Sequence, residues 1–142
     1  MKILVVGSGG REHAIALKLK ENPKVEQIFA APGNGGMAAF CTPVNIKATD
    51  VEGMVAFAKE NGVDFAVVAP DDPLVLGMVD AMEEAGIPSF GPNKAAAIIE
   101  GSKVFSKNLM KKYGIPTAKY ETFGSEEEAV AYLKAQNTYP TV

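Results

Sequence analysis

Short aliphatic and β-branched runs alternate with amphipathic segments over the first 90 residues of the chain. The amphipathic segments predict three helices: one ends near Asn22-Pro23, one begins after Asp50, and one runs from Pro73 to Gly86. The apolar runs predict five strands, at 2–6, 25–31, 43–46, 64–69 and 87–90. A strand–helix repeat of this kind is typical of a parallel sheet with right-handed crossovers. We therefore expect an α/β fold with a doubly wound, mostly parallel, Rossmann- or flavodoxin-like sheet.

The pattern changes after residue 90. Two helical segments are predicted, broken near Gly101 and ended by Gly114 and Pro116, with a strand at 117–123. The pattern therefore distinguishes a first region of alternating strands and helices from a second region of different organisation.

The second region closes with a predicted helix and the start of a strand. Ser125 and Glu128 have the spacing of a capping box, which predicts a helix beginning between them. The last residues, YPTV at 139–142, resemble the first residues of another strand, so we expect the chain to be part of a longer protein.

The amino-acid composition argues against several classes of function. The 142 residues are 47% hydrophobic, but no apolar run approaches the roughly 20 residues that span a bilayer. We expect neither a membrane partner nor, at a net charge of −3, a nucleic-acid partner. Cys41 is the single cysteine, so no internal disulfide can form and a cytoplasmic location is expected.

The glycine-rich turn after the first strand, GSGGRE at 7–12, departs from a dinucleotide site. Glu12 stands where the G-x-G-x-x-G fingerprint requires its third glycine, and the second strand ends in AAP rather than in a ribose-binding carboxylate. A Walker A loop is also excluded, because no G-K-[ST] follows. A helix begins directly after these glycines and has Arg11 among its first residues. This arrangement favours the binding of an anion. The alternative is a plain tight turn with a solvated Arg11.

Two further loops follow strands and are expected at the same edge of the sheet. The PGNGG loop at 32–36 allows either close approach to a ligand or simple flexibility. In PDDP, one of Asp71 and Asp72 is expected to cap the next helix, and the other to accept hydrogen bonds from sugar hydroxyls or an amine.

The remaining polar residues suggest less chemistry. Lys103 and Lys107 share a helix face, where lysines are either solvated or hold phosphate. His13 is expected to be a structural or partly buried side chain rather than a base, and Cys41 to have no catalytic role. No metal-ligand cluster is predicted.

Several segments together resemble one enzyme family. GSGGREHA (7–14), APGN (31–34), FGPNKAAAIIEGSK (90–103) and YETF (120–123) closely resemble the phosphoribosylamine–glycine ligases, which are ATP-grasp enzymes of purine synthesis. The resemblance covers essentially the whole chain. Members of the family are much longer and continue into a glycine-rich ATP lid. It therefore implies a pre-ATP-grasp, substrate-binding domain over residues 1–100, followed by the beginning of an ATP-grasp region over 101–142.

The resemblance implies a C–N ligase that joins glycine to 5-phosphoribosylamine through glycyl phosphate. ATP and Mg²⁺ (or Mn²⁺) are the implied cofactors, and the metal ligands are expected outside this segment. The small molecules phosphoribosylamine, glycine and ATP are the implied partners, and a monomer and a dimer are both open. We expect the 142 residues by themselves to be inactive.

The resemblance also implies site residues, none of them catalytic. Lys103 matches the family's first ATP-phosphate lysine. Asp71 stands where the family usually has glutamate, which keeps the carboxylate but shortens its reach by one methylene. The implied substrate-binding residues are Gly9, Gly10, Arg11, Glu12, Pro32, Gly33, Asn34, Asp71 and Asp72. The alternative hypotheses are a stand-alone nucleotide- or dinucleotide-binding Rossmann module and a non-catalytic binding or assembly domain.

Overall fold

The computed structural model describes residues 1–136, so the strand predicted at 139–142 lies outside the described residues. The chain divides into two compact units, Met1–Gly101 and a second unit from Ser102 onward. The first unit has five strands: β1 Lys2–Gly7, β2 Gln27–Pro32, β3 Thr42–Pro43, β4 Phe65–Val68 and β5 Ser89–Phe90. It has five α-helices: α1 Gly10–Lys20, α2 Val51–Glu60, α3 Asp71–Leu76, α4 Met78–Glu84 and α5 Lys94–Gly101, besides a 3₁₀ turn at Met37–Ala39.

The five strands form one parallel sheet in the order β3-β2-β1-β4-β5. This order confirms the predicted doubly wound α/β fold. The chain moves outward from β1 to β3 and then crosses to β4 on the other side of β1. The connections that leave β1 and β4 therefore flank the point where the strand order reverses, which is where ligands bind in such sheets.

The central strand β1 supplies both faces of the core, because successive side chains of a strand point to opposite faces. Leu4 and Val6 pack with Met54 of α2 and Met78 of α4 in the larger core cluster. Their neighbours on β1 pack on the other face, in a smaller cluster with Ala16 of α1. Helices on both faces explain why β1 is apolar throughout rather than alternating.

The region between β4 and β5 differs from its prediction. A single helix was expected from Pro73 to Gly86, but α3 begins at Asp71 and a break at Gly77 separates it from α4. Gly77 has φ +92°, a left-handed conformation that ends one helix and begins the next. The third strand also differs, since β3 spans Thr42–Pro43 and not 43–46.

The second unit contains α6 (Lys103–Tyr113) and α7 (Glu126–Ala135). The predicted break near Gly101 is confirmed, because α5 ends there and the Ser102 hydroxyl caps α6 by accepting a hydrogen bond from Phe105 N at 3.2 Å.

The predicted capping box of α7 is confirmed with a small shift. The Ser125 hydroxyl accepts from Glu128 N at 3.3 Å, and the Glu128 carboxylate accepts from Gly124 N at 2.9 Å. The strand predicted at 117–123 is wrong: the segment is irregular, and the described residues of this unit include no strand with which it could pair. An isolated strand leaves its backbone groups without partners.

Candidate functional site

The turn between β1 and α1 is built tightly around a glycine. Gly7 has φ +125°, and a Cβ at this position would lie 2.6 Å from Glu12 Cγ and 2.8 Å from Pro70 Cγ. Only glycine lets the turn approach both the first turn of α1 and the loop that follows β4. Gly9 caps the helix and Gly10 begins it. The first N–H groups of α1 therefore point out at the carboxyl edge of the sheet without intrahelical acceptors.

Glu12 lies beneath this turn and is the one charged residue buried in the described part of the chain, with 3% of its surface exposed. One carboxylate oxygen accepts a hydrogen bond from Gly9 N at 2.7 Å. The other pairs with Arg11 Nε at 3.0 Å. The Arg11 side chain is 60% exposed, so most of the guanidinium remains accessible beside the turn.

Asn34 ties the loop after β2 to the glycine turn. Its side-chain amide donates to Ser8 O at 2.9 Å, and its Oδ1 accepts from Gly36 N at 3.0 Å and Met37 N at 3.1 Å. A backbone hydrogen bond from Gly33 N to Gly7 O, at 3.1 Å, adds a second connection. The peptide bond before Pro32 is cis. The two loops thus form one continuous surface.

The aspartates after β4 occupy a different part of the edge. Asp71 and Asp72 are exposed in the first turn of α3 and, with Thr49 and Glu100, line an open cavity of about 340 Å³. The prediction that one of them caps the helix is wrong, because Pro70 is the N-cap and no side-chain cap bond forms. Both carboxylates nevertheless lie where the positive end of a helix dipole favours them.

Lys103 belongs to the second unit and is described there by itself. It is exposed at the first position of α6 and lines an open groove of about 1100 Å³. Lys107 lines the same groove, but its ammonium donates to Thr117 Oγ1 at 2.6 Å and to Ala118 O at 3.3 Å, and it lies 5.6 Å from the centre of the Tyr120 ring. The two lysines that the sequence grouped therefore border one groove, in which the ammonium of Lys107 is held by contacts within the unit.

The surroundings of the two remaining candidates, His13 and Cys41, indicate structural roles. His13 is half-buried, as predicted, with its ring centre 5.5 Å from that of Phe40. Burial raises the pKa of the Cys41 thiol, against a weaker opposite effect of Lys20, so this cysteine is a poor nucleophile. Within residues 1–136 no group of three His, Cys, Asp or Glu side chains could hold a metal ion. No described helix is long and apolar enough to cross a bilayer.

The structure therefore brings some predicted residues together and separates others. The residues from 9 to 12 and from 32 to 34 form one surface, whereas Asp71 and Asp72 line a cavity that those residues do not border. The internal contacts of Glu12 and Asn34 were not predicted from the sequence. A signal for the first was present, since Gly9 and Glu12 have the three-residue spacing of a capping box.

The fold is a doubly wound α/β domain, and its loops after β1 and β2 are joined at the carboxyl edge of the parallel sheet. The N-domain model of phosphoribosylglycinamide synthetase matches residues 1–100, and the ATP-grasp (A) domain model of the same enzyme matches residues 101–142. The chain belongs to the phosphoribosylglycinamide synthetase family.

Similar curated proteins are named phosphoribosylamine–glycine ligases. A phosphoribosylamine–glycine ligase of Allochromatium vinosum is 53% identical over 136 residues, which is 94% of this chain and 32% of that protein. Those of Rhodopirellula baltica and Vibrio vulnificus are 49% and 51% identical over 98% and 96% of this chain, and again 32% of their own length. The chain thus spans about a third of the curated relatives it matches.

Solved structures share the fold at lower identity. The biotin carboxylase domain of Hydrogenobacter thermophilus 2-oxoglutarate carboxylase, solved with MgADP, ADP and bicarbonate, has a TM-score of 0.72 at 22% identity, over 98% of this chain and 33% of that one. The N5-carboxyaminoimidazole ribonucleotide synthetase of Thermotoga maritima has a TM-score of 0.66 at 19% identity, over 92% and 36%. The family models and the ligase relatives together match almost the whole chain, so the hypothesis of a stand-alone nucleotide- or dinucleotide-binding module is not favoured.

Proposed function

We propose that the chain is the N-terminal part of an enzyme that joins glycine to 5-phosphoribosylamine at the expense of ATP. The observation that carries this proposal is the family match over both units, together with ligase relatives about half identical to almost the whole chain. On this proposal residues 1–100 form the substrate-binding domain and residues 101–142 begin the ATP-grasp region. The single cysteine fits a cytoplasmic enzyme.

In this proposal the surface formed by the β1–α1 turn and the loop after β2 binds the phosphate of the ribosylamine. The N–H groups of Gly10 and Arg11 lie at the N-terminus of α1, which favours binding of an anion. The exposed guanidinium of Arg11 adds a charged donor. Gly33 and Asn34 keep the second loop against the first.

Asp71 and Asp72 are proposed to bind the ribose hydroxyls or the amine. Both side chains are exposed and border an open cavity at the same edge of the sheet. Carboxylates accept hydrogen bonds from both groups. The shorter Asp71, in place of the family's usual glutamate, would require the sugar to lie one methylene closer.

Lys103 is proposed to bind the ATP phosphates. Its exposed ammonium at the start of α6 fits a phosphate, because lysine binds such groups as a point charge. The described residues do not fit a Mg²⁺ site, since no group of three ligating side chains occurs among them. We therefore assign the metal (Mg²⁺ or Mn²⁺) to segments of the longer protein and derive no step through it.

The proposed reaction has two steps. The glycine carboxylate takes the γ-phosphoryl group of ATP, which gives glycyl phosphate and ADP. The ribosylamine nitrogen then attacks the activated carbonyl, and phosphate leaves as the amide forms. The role of this chain is to hold the amine substrate and one end of the nucleotide in place, so that the attack becomes effectively intramolecular.

The test is an assay of the full-length protein that contains these residues. Formation of glycinamide ribonucleotide, detected by mass spectrometry, should require ATP, glycine and phosphoribosylamine together, with one ADP released per product. Titration with NADH should give no saturable binding. Saturable NADH binding without amide formation would support the dinucleotide module instead.

A further inference from the structure

We propose that Glu12 is a positioning residue for the ribosylamine phosphate: it does not touch the ligand, but fixes the Arg11 guanidinium and the glycine turn that do. The inference rests on the proposed function, because it concerns the same surface. It changes the role implied for Glu12 by the family resemblance, which was direct contact with the substrate.

Each carboxylate oxygen of Glu12 has a hydrogen-bond partner within the protein. One oxygen accepts from Gly9 N at 2.7 Å and the other from Arg11 Nε at 3.0 Å, and the side chain is 4% exposed. A buried carboxylate offers no donor to a phosphate and would repel it. Direct binding of the anion by Glu12 is therefore unfavourable in this arrangement.

The same contacts explain what Glu12 does instead. The bond to Arg11 uses Nε, the N–H group nearest the helix, and leaves the far end of an otherwise exposed guanidinium accessible. An arginine held by one such bond loses less rotamer freedom when it binds a phosphate. The bond to Gly9 N also removes one donor of the turn, so the anion must bind to the N–H groups that follow it.

The Glu12 side chain also packs against Gly7 at the base of the turn. Gly7 packs so tightly on Glu12 that a Cβ on the glycine would lie 2.6 Å from Glu12 Cγ. A glycine at position 12, as in the dinucleotide fingerprint, would leave this space empty and free Gly9 N. Glu12 thus converts a turn of the dinucleotide type into one that presents an oriented arginine.

Glu12→Gln tests this role, because a purely electrostatic effect and a positioning role predict opposite changes in the KM for phosphoribosylamine. Both carboxylate oxygens face donors, so an amide can satisfy only one of them. If Glu12 positions Arg11, the KM for phosphoribosylamine in the full-length enzyme should rise about tenfold, as expected for one lost charge-assisted hydrogen bond. If Glu12 were only a negative charge near the anion, its removal should lower that KM.

The KM for ATP, measured in the same assay, should change by less than about twofold, which a general loss of structure would not allow. Glu21→Gln is the matched control, because Glu21 is an exposed carboxylate at the other end of α1, paired with Lys18. It should leave both KM values unchanged. The effects of Glu12→Gln and Arg11→Ala should combine to less than their product, since one residue acts through the other.

The outcomes separate the inference from the proposed function. A wild-type enzyme that makes no amide would overturn the proposed function. If the wild-type enzyme makes the amide, the inference alone is tested. A KM of Glu12→Gln for phosphoribosylamine that is equal to or below the wild-type value would then overturn the inference but not the proposed function. Fully multiplicative effects with Arg11→Ala would also overturn it.

Circular dichroism and thermal unfolding establish whether Glu12→Gln folds. If it does not, Arg11→Lys supplies the test, because it keeps the exposed charge but removes the Nε group that Glu12 holds. Positioning predicts that Arg11→Lys raises the KM for phosphoribosylamine nearly as much as Arg11→Ala does. If Arg11→Lys has the wild-type KM for phosphoribosylamine, a positive charge at position 11 is sufficient for binding without the contact to Glu12. That result would overturn the inference.

Discussion

Arg11 is the residue on which the proposed phosphate surface depends most directly. Its side chain is exposed beside the first turn of α1, and only Nε is engaged by Glu12. Arg11→Ala removes the charged donor while keeping a good helix former. We expect the affinity of the full-length enzyme for phosphoribosylamine to fall roughly tenfold to a hundredfold, because a charge-assisted hydrogen bond contributes about 1.5–3 kcal/mol.

The affinity for ATP should hardly change in Arg11→Ala, and competition experiments with both ligands would measure this. Lys18→Ala is the control, since it removes a cation from the last turn of the same helix. Undiminished phosphoribosylamine affinity in Arg11→Ala would assign the phosphate to the backbone turn alone and return Arg11 to the solvated surface.

Lys103 carries the corresponding prediction for the nucleotide. We expect Lys103→Ala to raise the KM for ATP and lower kcat in the full-length enzyme, with less effect on the KM for phosphoribosylamine, because a point charge is lost from the phosphates. Lys111→Ala, in the last turn of the same helix, is the control. Steady-state kinetics with each substrate varied in turn would measure the difference. An ATP dependence equal to that of the wild type would contradict the assignment.

The chemistry of single residues was only partly predictable from the sequence. The glutamate that replaces the third glycine was recognised as a departure from the dinucleotide fingerprint, but its contacts with Gly9 and Arg11 depend on how tightly the turn closes around Gly7. The same holds for Asn34, whose bond to Ser8 crosses between two loops. Contacts between segments far apart in sequence carry no local pattern, so propensity and spacing cannot reveal them.

At the scale of elements, local signals were reliable where one side chain determines the end of a helix. The Asp50 carboxylate caps α2 by accepting from Gly53 N at 2.9 Å, as its position predicts. Gly77 shows the limit of such signals. Glycine within an amphipathic pattern is compatible with an uninterrupted helix, and only its left-handed conformation in the folded chain shows that α3 and α4 are separate.

Gly77 therefore supplies a stability prediction. An alanine at φ +92° must adopt a left-handed conformation, which costs about 1–2 kcal/mol. The three atoms nearest to the added Cβ belong to the side chains of Lys94, at 3.4 and 3.8 Å, and of Asp80, at 3.9 Å, so backbone strain should dominate. Urea unfolding of the 142-residue chain should show this loss in Gly77→Ala.

Gly35→Ala serves as the reference for Gly77→Ala, because a Cβ at Gly35 meets nothing within 4 Å and its φ is not among the positive ones. It should be neutral or slightly stabilising. Equal urea midpoints for Gly77→Ala and the wild type would mean that the α3–α4 junction can rearrange into a continuous helix, as the sequence alone suggested.

At the scale of the whole molecule, the two units divide the proposed ligands between them. The surface proposed for the sugar phosphate belongs to the unit Met1–Gly101, and the lysine proposed for ATP to the unit that begins at Ser102. The overall α/β architecture was predictable because parallel strands buried on both faces leave long apolar runs in the sequence. The irregular segment at 117–123 was not, because a strand depends on a neighbour as well as on its own residues.

This division leads to a prediction for the 142-residue chain as it stands. Amide formation requires the nucleotide, the metal and both acceptor substrates in one geometry. The described residues contain no metal-binding group, and the chain spans about a third of the relatives that carry the activity in their names. We expect the purified chain to form no glycinamide ribonucleotide from ATP, glycine and phosphoribosylamine, while the full-length protein does. Material expressed in a host that lacks its own ligase, assayed by mass spectrometry, excludes contamination; product that depends on ATP and glycine from the 142 residues alone would show that the catalytic groups lie within this chain after all.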